Sequence, residues 1–190
     1  MAAKIPPGVP RPEFVCEDIH SWARERKWDV AFAVGVMEHV QDPGGFLLML
    51  RCLLKPGGLA FVSFEPFHSP AGDHMQDFFK VRVPWRGVLF SEKAILRLRR
   101  ECYRPTDRAE RYCDIAAGLN LMRFSEYEAY IRAAGLEVAQ HLLNPRLWWN
   151  AWQAPFRPIS RMLTSLPVVQ DYFVWEAYSV LRYPGVSPDQ

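Results

Sequence analysis

The sequence lacks the features that mark several classes of protein. None of its apolar runs approaches the length of a membrane span, and residues 1–12 hold four prolines but no apolar segment of the kind that directs secretion. The four cysteines form no C-x-x-C pair, which argues against zinc or dithiol motifs and favours reduced thiols in the cytoplasm. A net charge of +2 is too small to indicate nucleic-acid binding. We therefore expect a cytoplasmic protein with no membrane partner, no nucleic-acid partner and no metal.

The most informative stretch, residues 28–58, has the pattern of a strand, a loop, a helix and a turn. Val30–Val36 is an almost unbroken apolar run, typical of a parallel strand buried on both faces. An Asp-Pro pair at 42–43 has the chemistry of a helix N-cap followed by position N1. The turn at 55–58, Lys-Pro-Gly-Gly, ends the helix, and Leu59–Phe64 follows as a second buried strand. These elements predict a right-handed βαβ unit in a parallel sheet.

Two motifs in this stretch resemble the central part of class I S-adenosylmethionine-dependent methyltransferases of the small-molecule type. They are the E-H-V-x-D-P loop at Glu38–Pro43 and the L-K-P-G-G turn at Leu54–Gly58. The resemblance covers roughly Glu13–Leu143 and again Tyr172–Arg182. It implies a Rossmann-like α/β fold, a mostly parallel sheet with flanking helices, with S-adenosylmethionine as the cofactor and a small molecule as the methyl acceptor.

The family's N-terminal glycine-rich cofactor motif has no counterpart in this sequence. No D/E-x-G-x-G turn is present, and the twelve residues before Glu13 contain a single glycine, Gly8. The resemblance therefore implies an N-terminally truncated version of the fold, in which the strand over Asp29–Val34 has a bare apolar edge. Such an edge pairs readily with another strand. Three alternatives could cover this edge: a strand at Glu13, a partner chain or second copy, or a further part of a longer protein.

The resemblance also assigns candidate cofactor-binding residues. A short strand is predicted at Glu13–Ile19, where Asp18 matches the acid that accepts a hydrogen bond from the adenine amino group, and Ile19 would flank the ring. The alternative is that Asp18 caps the segment that follows it. The other candidates are Val34, Gly35, Val36 and Glu38. Their backbone or side chains should pass near the ribose and methionine of the cofactor.

Two histidines are candidates for catalysis. An oxygen or nitrogen acceptor must lose a proton during methyl transfer, and His39 could be the base that removes it. The alternative, which we favour, is that His39 holds its loop by a hydrogen bond to backbone. His74 lies in a long loop, residues 65–89, of the kind that carries function at the carboxyl ends of strands, and it could line the pocket. His68, in the same loop, is expected to be a solvated surface histidine.

The remaining segments predict further secondary structure. The stretch Leu147–Phe156 contains three tryptophans and could be a lid, a partner surface or core. The other predictions are a helix from Glu92 to Tyr103 capped by Ser91 with its arginines outside, a helix at Asp107–Ala117, a capping box at Ser125 and Glu128, a strand at Leu136–Leu143, and a final antiparallel edge strand at Tyr172–Arg182.

Together these patterns predict an extended or disordered arm at residues 1–12 and one methyltransferase-like domain at 13–190, with a loop and helical insertion on the substrate side at 65–123. The predicted function is S-adenosylmethionine-dependent methyl transfer to a small molecule. The alternative is a degenerate, non-catalytic methyltransferase fold that serves as a binding or assembly subunit. A homo-oligomer or a partner chain that covers the bare edge fits either function.

Overall fold

The computed structural model describes residues 13–19, 27–70, 72–74, 83–114, 118–145 and 151–185, without the side chains of 151–153. The predicted arm at 1–12 lies outside these ranges. Within them the chain forms a sheet of four strands flanked by helices, so the fold is mixed α/β as predicted. The strands are β1 (Trp28–Ala33), β2 (Leu54–Phe64), β3 (Glu137–Leu143) and β4 (Ala177–Arg182).

The helices of the described residues vary widely in length. They are α1 (Pro43–Leu53), α2 (Arg86–Leu89), α3 (Glu92–Cys102), α4 (Phe124–Ala133), α5 (Arg157–Thr164) and α6 (Gln170–Phe173). Short 3-10 turns occur at Met37–His39, Tyr112–Asp114 and Ala151–Phe156. No described helix is long and apolar enough to cross a membrane.

The sheet has the order β1-β2-β4-β3. β1 and β2 are parallel and α1 connects them, which confirms the predicted βαβ unit. β4 runs antiparallel and lies between β2 and β3, so the prediction of a final edge strand was wrong in position. It was also too long, because Tyr172 and Phe173 belong to α6.

Local capping chemistry sets the start of α1 as the sequence predicts. The backbone N–H of Gly45 donates to Oδ1 of Asp42 at 2.9 Å, and Pro43 occupies the first helical turn. The helix ends at Leu53 and β2 begins directly at Leu54, so the turn predicted at 55–58 lies within the first part of the strand. Gly57, inside that turn, has a φ of +81°, a conformation that glycine adopts without steric cost.

The hydrophobic core lies on one face of the sheet, beneath α1 and α4. Alternate residues of β2 point into it, because successive side chains of a strand face opposite sides. The largest fully buried members of this core are Met37, Leu47, Leu54, Val62, Phe64, Phe124, Tyr127, Ile131, Val174 and Leu181.

The opposite face of the sheet carries apolar side chains that stay exposed. On β1 and just beyond it, Val30, Phe32 and Val34 are 49%, 74% and 62% exposed. An aromatic row crosses three strands here, since the ring of Phe61 lies 6.0 Å from Phe32 and 5.6 Å from Tyr178. The prediction that β1 is buried on both faces was therefore wrong. β1 forms one edge of the described sheet, in agreement with the predicted bare apolar edge.

Two further local predictions were wrong. Residues 13–19 form no strand, so within the described residues they add nothing to the β1 edge. The predicted capping box is displaced: Glu126 accepts from the backbone N–H of Arg123 at 2.8 Å, whereas the N–H and hydroxyl of Ser125 both donate to Asp171 at 2.8 Å.

The helix α3 and the segment that follows it also depart from prediction. Arg99, expected on the solvated face of the helix, is 3% exposed and pairs with Asp107 at 2.8 Å. The helix expected at 107–117 is reduced, among its described residues, to the 3-10 turn at Tyr112–Asp114. The carboxylates of Asp107 and Asp114 accept nearby backbone N–H groups, which favours turns over a regular helix.

Candidate active site

The carboxyl ends of β1 and β2 meet at one edge of the sheet, as they must in a parallel pair. The backbone N–H of Gly35 donates to Oγ of Ser63 at 2.7 Å and ties the two strand ends together. Gly35 has a φ of +61°, and an added Cβ would find no atom within 4 Å. The main chain at this point is therefore open to a ligand, in a conformation that favours glycine.

The turn at Met37–His39 follows, and Asn120 holds it in place. The Nδ2 group of Asn120 donates to the carbonyl oxygens of Met37 and Val40, both at 2.8 Å. Its backbone N–H donates to the carbonyl of Glu38 at 2.9 Å. One residue from outside the βαβ unit therefore fixes three carbonyl groups of the turn, two through its side chain and one through its backbone N–H.

His39 is oriented by a backbone carbonyl. Its Nδ1 lies 2.6 Å from the carbonyl oxygen of Gly118. A carbonyl can only accept, so Nδ1 carries the proton and, in the neutral imidazole, Nε2 keeps a lone pair. The hydrogen bond agrees with the loop-holding role that we favoured, and the same tautomer leaves Nε2 able to take a proton.

His74 comes to the same place from the loop after β2. Its ring stands edge-on to that of His39, with 5.6 Å between the centroids. Its Nε2 lies 3.5 Å from Oε2 of Glu65, the residue directly after β2. His74 has a φ of +52°, an uncommon backbone conformation for a non-glycine residue. We refer to Glu38, His39, Glu65 and His74 as the acid–histidine cluster.

The carboxyl group of Glu38 is buried at this cluster. Burial raises its pKa above the ordinary value for glutamate, while a hydrogen bond from its own backbone and the nearby His74 and His39 oppose that rise. Its Oε2 is buried and has no hydrogen-bond partner within the described part of the chain. Glu38 therefore offers a polar atom to a donor from a ligand.

A buried ion pair lies directly beside His74 in sequence. The Nε and Nη2 groups of Arg86 donate to the two carboxylate oxygens of Asp73 at 2.6 and 2.8 Å. Both side chains are almost fully buried. The neighbouring Gly87 has no room for a side chain, because an added Cβ would lie 2.7 Å from the ring of Phe67. Close packing and a bidentate ion pair thus fix the backbone that carries His74.

The other described histidines have structural surroundings. His68 packs edge-on against Phe67 and Tyr172, so the prediction of a solvated surface histidine was wrong. Burial and the nearby Arg123 lower its pKa. His141, on β3, bonds to Ser179 at 2.9 Å. Across the described ranges, no group of three or more His, Cys, Asp or Glu residues is placed to hold a metal ion.

Comparison with known proteins identifies the domain that carries this cluster. A family model described as a methyltransferase domain matches residues 8–141, well over half of the chain. The chain belongs to the methyltransferase domain family. This assignment confirms the resemblance drawn from the E-H-V-x-D-P and L-K-P-G-G motifs, and the cofactor that goes with it is S-adenosylmethionine.

Curated relatives match only short parts of the methyltransferase domain. A ubiquinone biosynthesis O-methyltransferase of Bradyrhizobium sp. (strain ORS 278) is 39% identical over 51 residues, which is 27% of this chain and 20% of that protein. One from Caulobacter vibrioides is 53% identical over 36 residues, or 19% of this chain and 14% of that protein. The chain thus matches a fifth or less of the length of these relatives.

Among solved structures, PKMT2 from Rickettsia typhi in complex with AdoHcy is similar in backbone. Its TM-score is 0.46 at 14% identity, over 90% of this chain and 38% of that one. Likeness at this level carries no argument about function.

The predicted site residues of the methyltransferase domain fall into two groups. The structure brings Glu38, His39 and His74 together at the end of β1, where Val34, Gly35 and Val36 present exposed side chains and main chain. An open glycine backbone and an orphaned buried carboxylate oxygen fit a large polar cofactor. Asp18 and Ile19 are exposed in a separate described segment, and their contacts with adenine stay a prediction.

Sequence reasoning missed three residues of this site. Glu65 follows β2 directly, so its place at the end of a parallel strand was the signal that could have found it. Asn120 and Arg86 act through the tertiary contacts described above. No local motif marks either of them.

We predict that Arg86→Met destabilises the domain by about 3–5 kcal/mol, because it leaves the buried Asp73 carboxylate without its counter-charge. Urea unfolding followed by circular dichroism measures the loss. The matched control is Arg97→Met, which breaks the exposed pair with Glu101 at 2.7 Å and should leave the unfolding midpoint almost unchanged. Equal midpoints for the two variants would contradict a structural role for the buried pair.

Proposed function

We propose that this chain transfers a methyl group from S-adenosylmethionine to a hydroxyl oxygen of a small molecule. The acid–histidine cluster carries the proposal, because it places two imidazoles and two carboxylates beside the open backbone at Gly35. An oxygen acceptor also agrees with the curated relatives, which are named O-methyltransferases. The bound cofactor would supply a methyl group activated by its positive sulfur.

A hydroxyl acceptor needs a base, and we assign that role to His39. With cofactor and acceptor bound, Nε2 of His39 would take the proton that the hydroxyl group loses on methylation. Nδ1 stays protonated because it donates to Gly118. The imidazolium that forms lies beside the pair of His74 and Glu65, whose carboxylate stabilises the added positive charge.

Binding of the cofactor product tests the proposed site without knowledge of the acceptor. We expect micromolar binding of S-adenosylhomocysteine by isothermal titration calorimetry. Asp18→Ala should weaken it about tenfold, because one hydrogen bond to adenine is lost. The neighbouring exposed acid gives the control, Glu17→Ala, which should bind like the wild type. Absence of binding by the wild-type chain would refute the proposal for this chain.

A substitution at His39 separates its two roles. The side-chain amide of Asn can reproduce the Nδ1–H donor to Gly118 but offers no base at the position of Nε2. We therefore expect His39→Asn to keep the melting temperature and S-adenosylhomocysteine affinity, and to lower kcat by about a hundredfold or more. The measurement is S-adenosylhomocysteine release with a panel of small phenols and alcohols, with His68→Gln as the control. Unchanged kcat in His39→Asn would limit His39 to holding the loop.

One observation favours a second candidate function, that of a non-catalytic binding or assembly subunit. The exposed apolar side chains of β1 and the aromatic row beside them form a connected patch, whereas exposed apolar residues on most surfaces are scattered singly. A second copy that packs on this face and pairs with the open edge of β1 would cover both. Self-association of this kind is compatible with catalysis, and it would be the main activity if no cofactor binds.

We predict that the wild-type chain self-associates at micromolar concentration and that Phe32→Ser shifts it towards the monomer. Sedimentation equilibrium measures the mass. Leu48→Ser is the control, since Leu48 is 47% exposed on α1, on the other side of the sheet. A monomeric wild-type chain would exclude this use of the β1 edge.

A further inference from the structure

Four non-glycine residues of the described ranges have a positive φ, between +52° and +56°. They are His74, Trp85, Leu121 and Asn144. The Cβ atom crowds the backbone in this conformation, so residues other than glycine, asparagine and aspartate adopt it rarely. A strained conformation of this kind persists only where contacts or function require it. Each of the four residues therefore needs a physical reason.

Contacts or position account for three of these residues. The indole Nε1 of Trp85 donates to a backbone carbonyl of α6 at 2.7 Å. The side-chain amide of Asn144 makes three hydrogen bonds, at 2.7–2.9 Å, and asparagine tolerates a positive φ. His74 lies in the acid–histidine cluster, where its ring meets that of His39. In each case the strained backbone places a side chain that is used.

Leu121 is the residue that these reasons do not cover. Its side chain is apolar and 37% exposed, and it belongs to none of the three hydrophobic clusters formed by the described residues. Glycine would adopt the φ of +56° without steric cost. Neither core packing nor backbone geometry therefore explains a leucine at this position, whereas a role of the side chain in binding a ligand would.

The segment that carries Leu121 also holds the proposed base. The carbonyl group of Gly118 accepts from Nδ1 of His39, and Asn120 bonds to three carbonyl groups of the adjoining turn. Leu121 follows Asn120 directly, so the Cα atoms of these two residues are about 3.8 Å apart. An acceptor whose hydroxyl group reaches Nε2 of His39 therefore binds beside this segment.

We propose that Leu121 is a specificity-determining residue whose side chain packs against the apolar surface of the methyl acceptor. The inference rests on the proposed methyl transfer to a hydroxyl group. The acceptor is the ligand, rather than the cofactor, because Leu121 shares its segment with the carbonyl group that orients the base. Burial of the exposed part of a leucine side chain favours acceptors with a larger apolar area, so the chain should prefer 2-naphthol to phenol.

Two substitutions of Leu121 separate the side chain from the backbone. Leu121→Ala removes most of the side chain and keeps the strain, whereas Leu121→Gly also relieves the strain, so its melting temperature should be higher by about 3 °C. Both should raise KM for 2-naphthol about tenfold. Neither should change kcat or the affinity for S-adenosylhomocysteine. The control is Leu48→Ala, an exposed leucine on α1, which should behave like the wild type.

The outcomes distinguish this inference from the proposed function, because S-adenosylhomocysteine binding by the wild-type chain tests the cofactor site without Leu121. An unchanged KM for 2-naphthol in both variants of an active chain would overturn the inference and leave methyl transfer standing. A KM that rises in Leu121→Ala alone would reflect strain and overturn it. Weaker S-adenosylhomocysteine binding by both variants would also overturn it, since Leu121 would then contact the cofactor. So would a cofactor-binding wild-type chain that methylates neither phenol nor 2-naphthol.

Discussion

The parallel pairing of β1 with β2 is the constraint on which the candidate site depends. It brings the carboxyl ends of both strands to one edge, so Gly35, Glu38 and Glu65 lie together although α1 separates them in sequence. α1 can make this crossover because its amphipathic face is buried against the sheet with α4. The polar groups at the edge are thus placed by the apolar core beneath them.

A second layer of contacts turns this edge into a site. Asn120 fixes the carbonyl groups of the turn after β1, and Gly118 fixes the tautomer of His39. The pair of Asp73 and Arg86 fixes the loop that carries His74. Each of these contacts is made by a group outside the βαβ unit, so the acid–histidine cluster exists only when the whole domain is folded.

The sequence predicts well what short-range chemistry decides. Asp42 caps α1 because its partner, Gly45, is three residues away, and Gly135 ends α4 for an equally local reason, its φ of +67°. The failures concern long-range partners. Ser125 was expected to be an N-cap, but Asp171 takes both of its donors from 46 residues away. Arg99 was expected to be solvated, but Asp107 pairs with it.

The same division holds for the candidate site. Glu38, His39 and His74 could be named from motif and loop position. Asn120 and Arg86 could not. Each of these two polar residues becomes important only through the carbonyl or carboxylate group that tertiary packing places beside it. The central place of β4 was missed for a related reason. Alternation of side chains predicts a strand but does not determine which strands lie next to it.

The position of β4 affects the order in which the chain can fold. β3 has no described partner except β4, and β2 joins β3 only through it, with Leu59 paired to Arg182. The strand that completes the described sheet therefore lies later in the sequence than the other three. During synthesis β1, α1 and β2 can form early, but β3 must wait unpaired until residues 177–182 have left the ribosome. Such long-range closure slows folding and leaves an open strand exposed to other chains in the meantime.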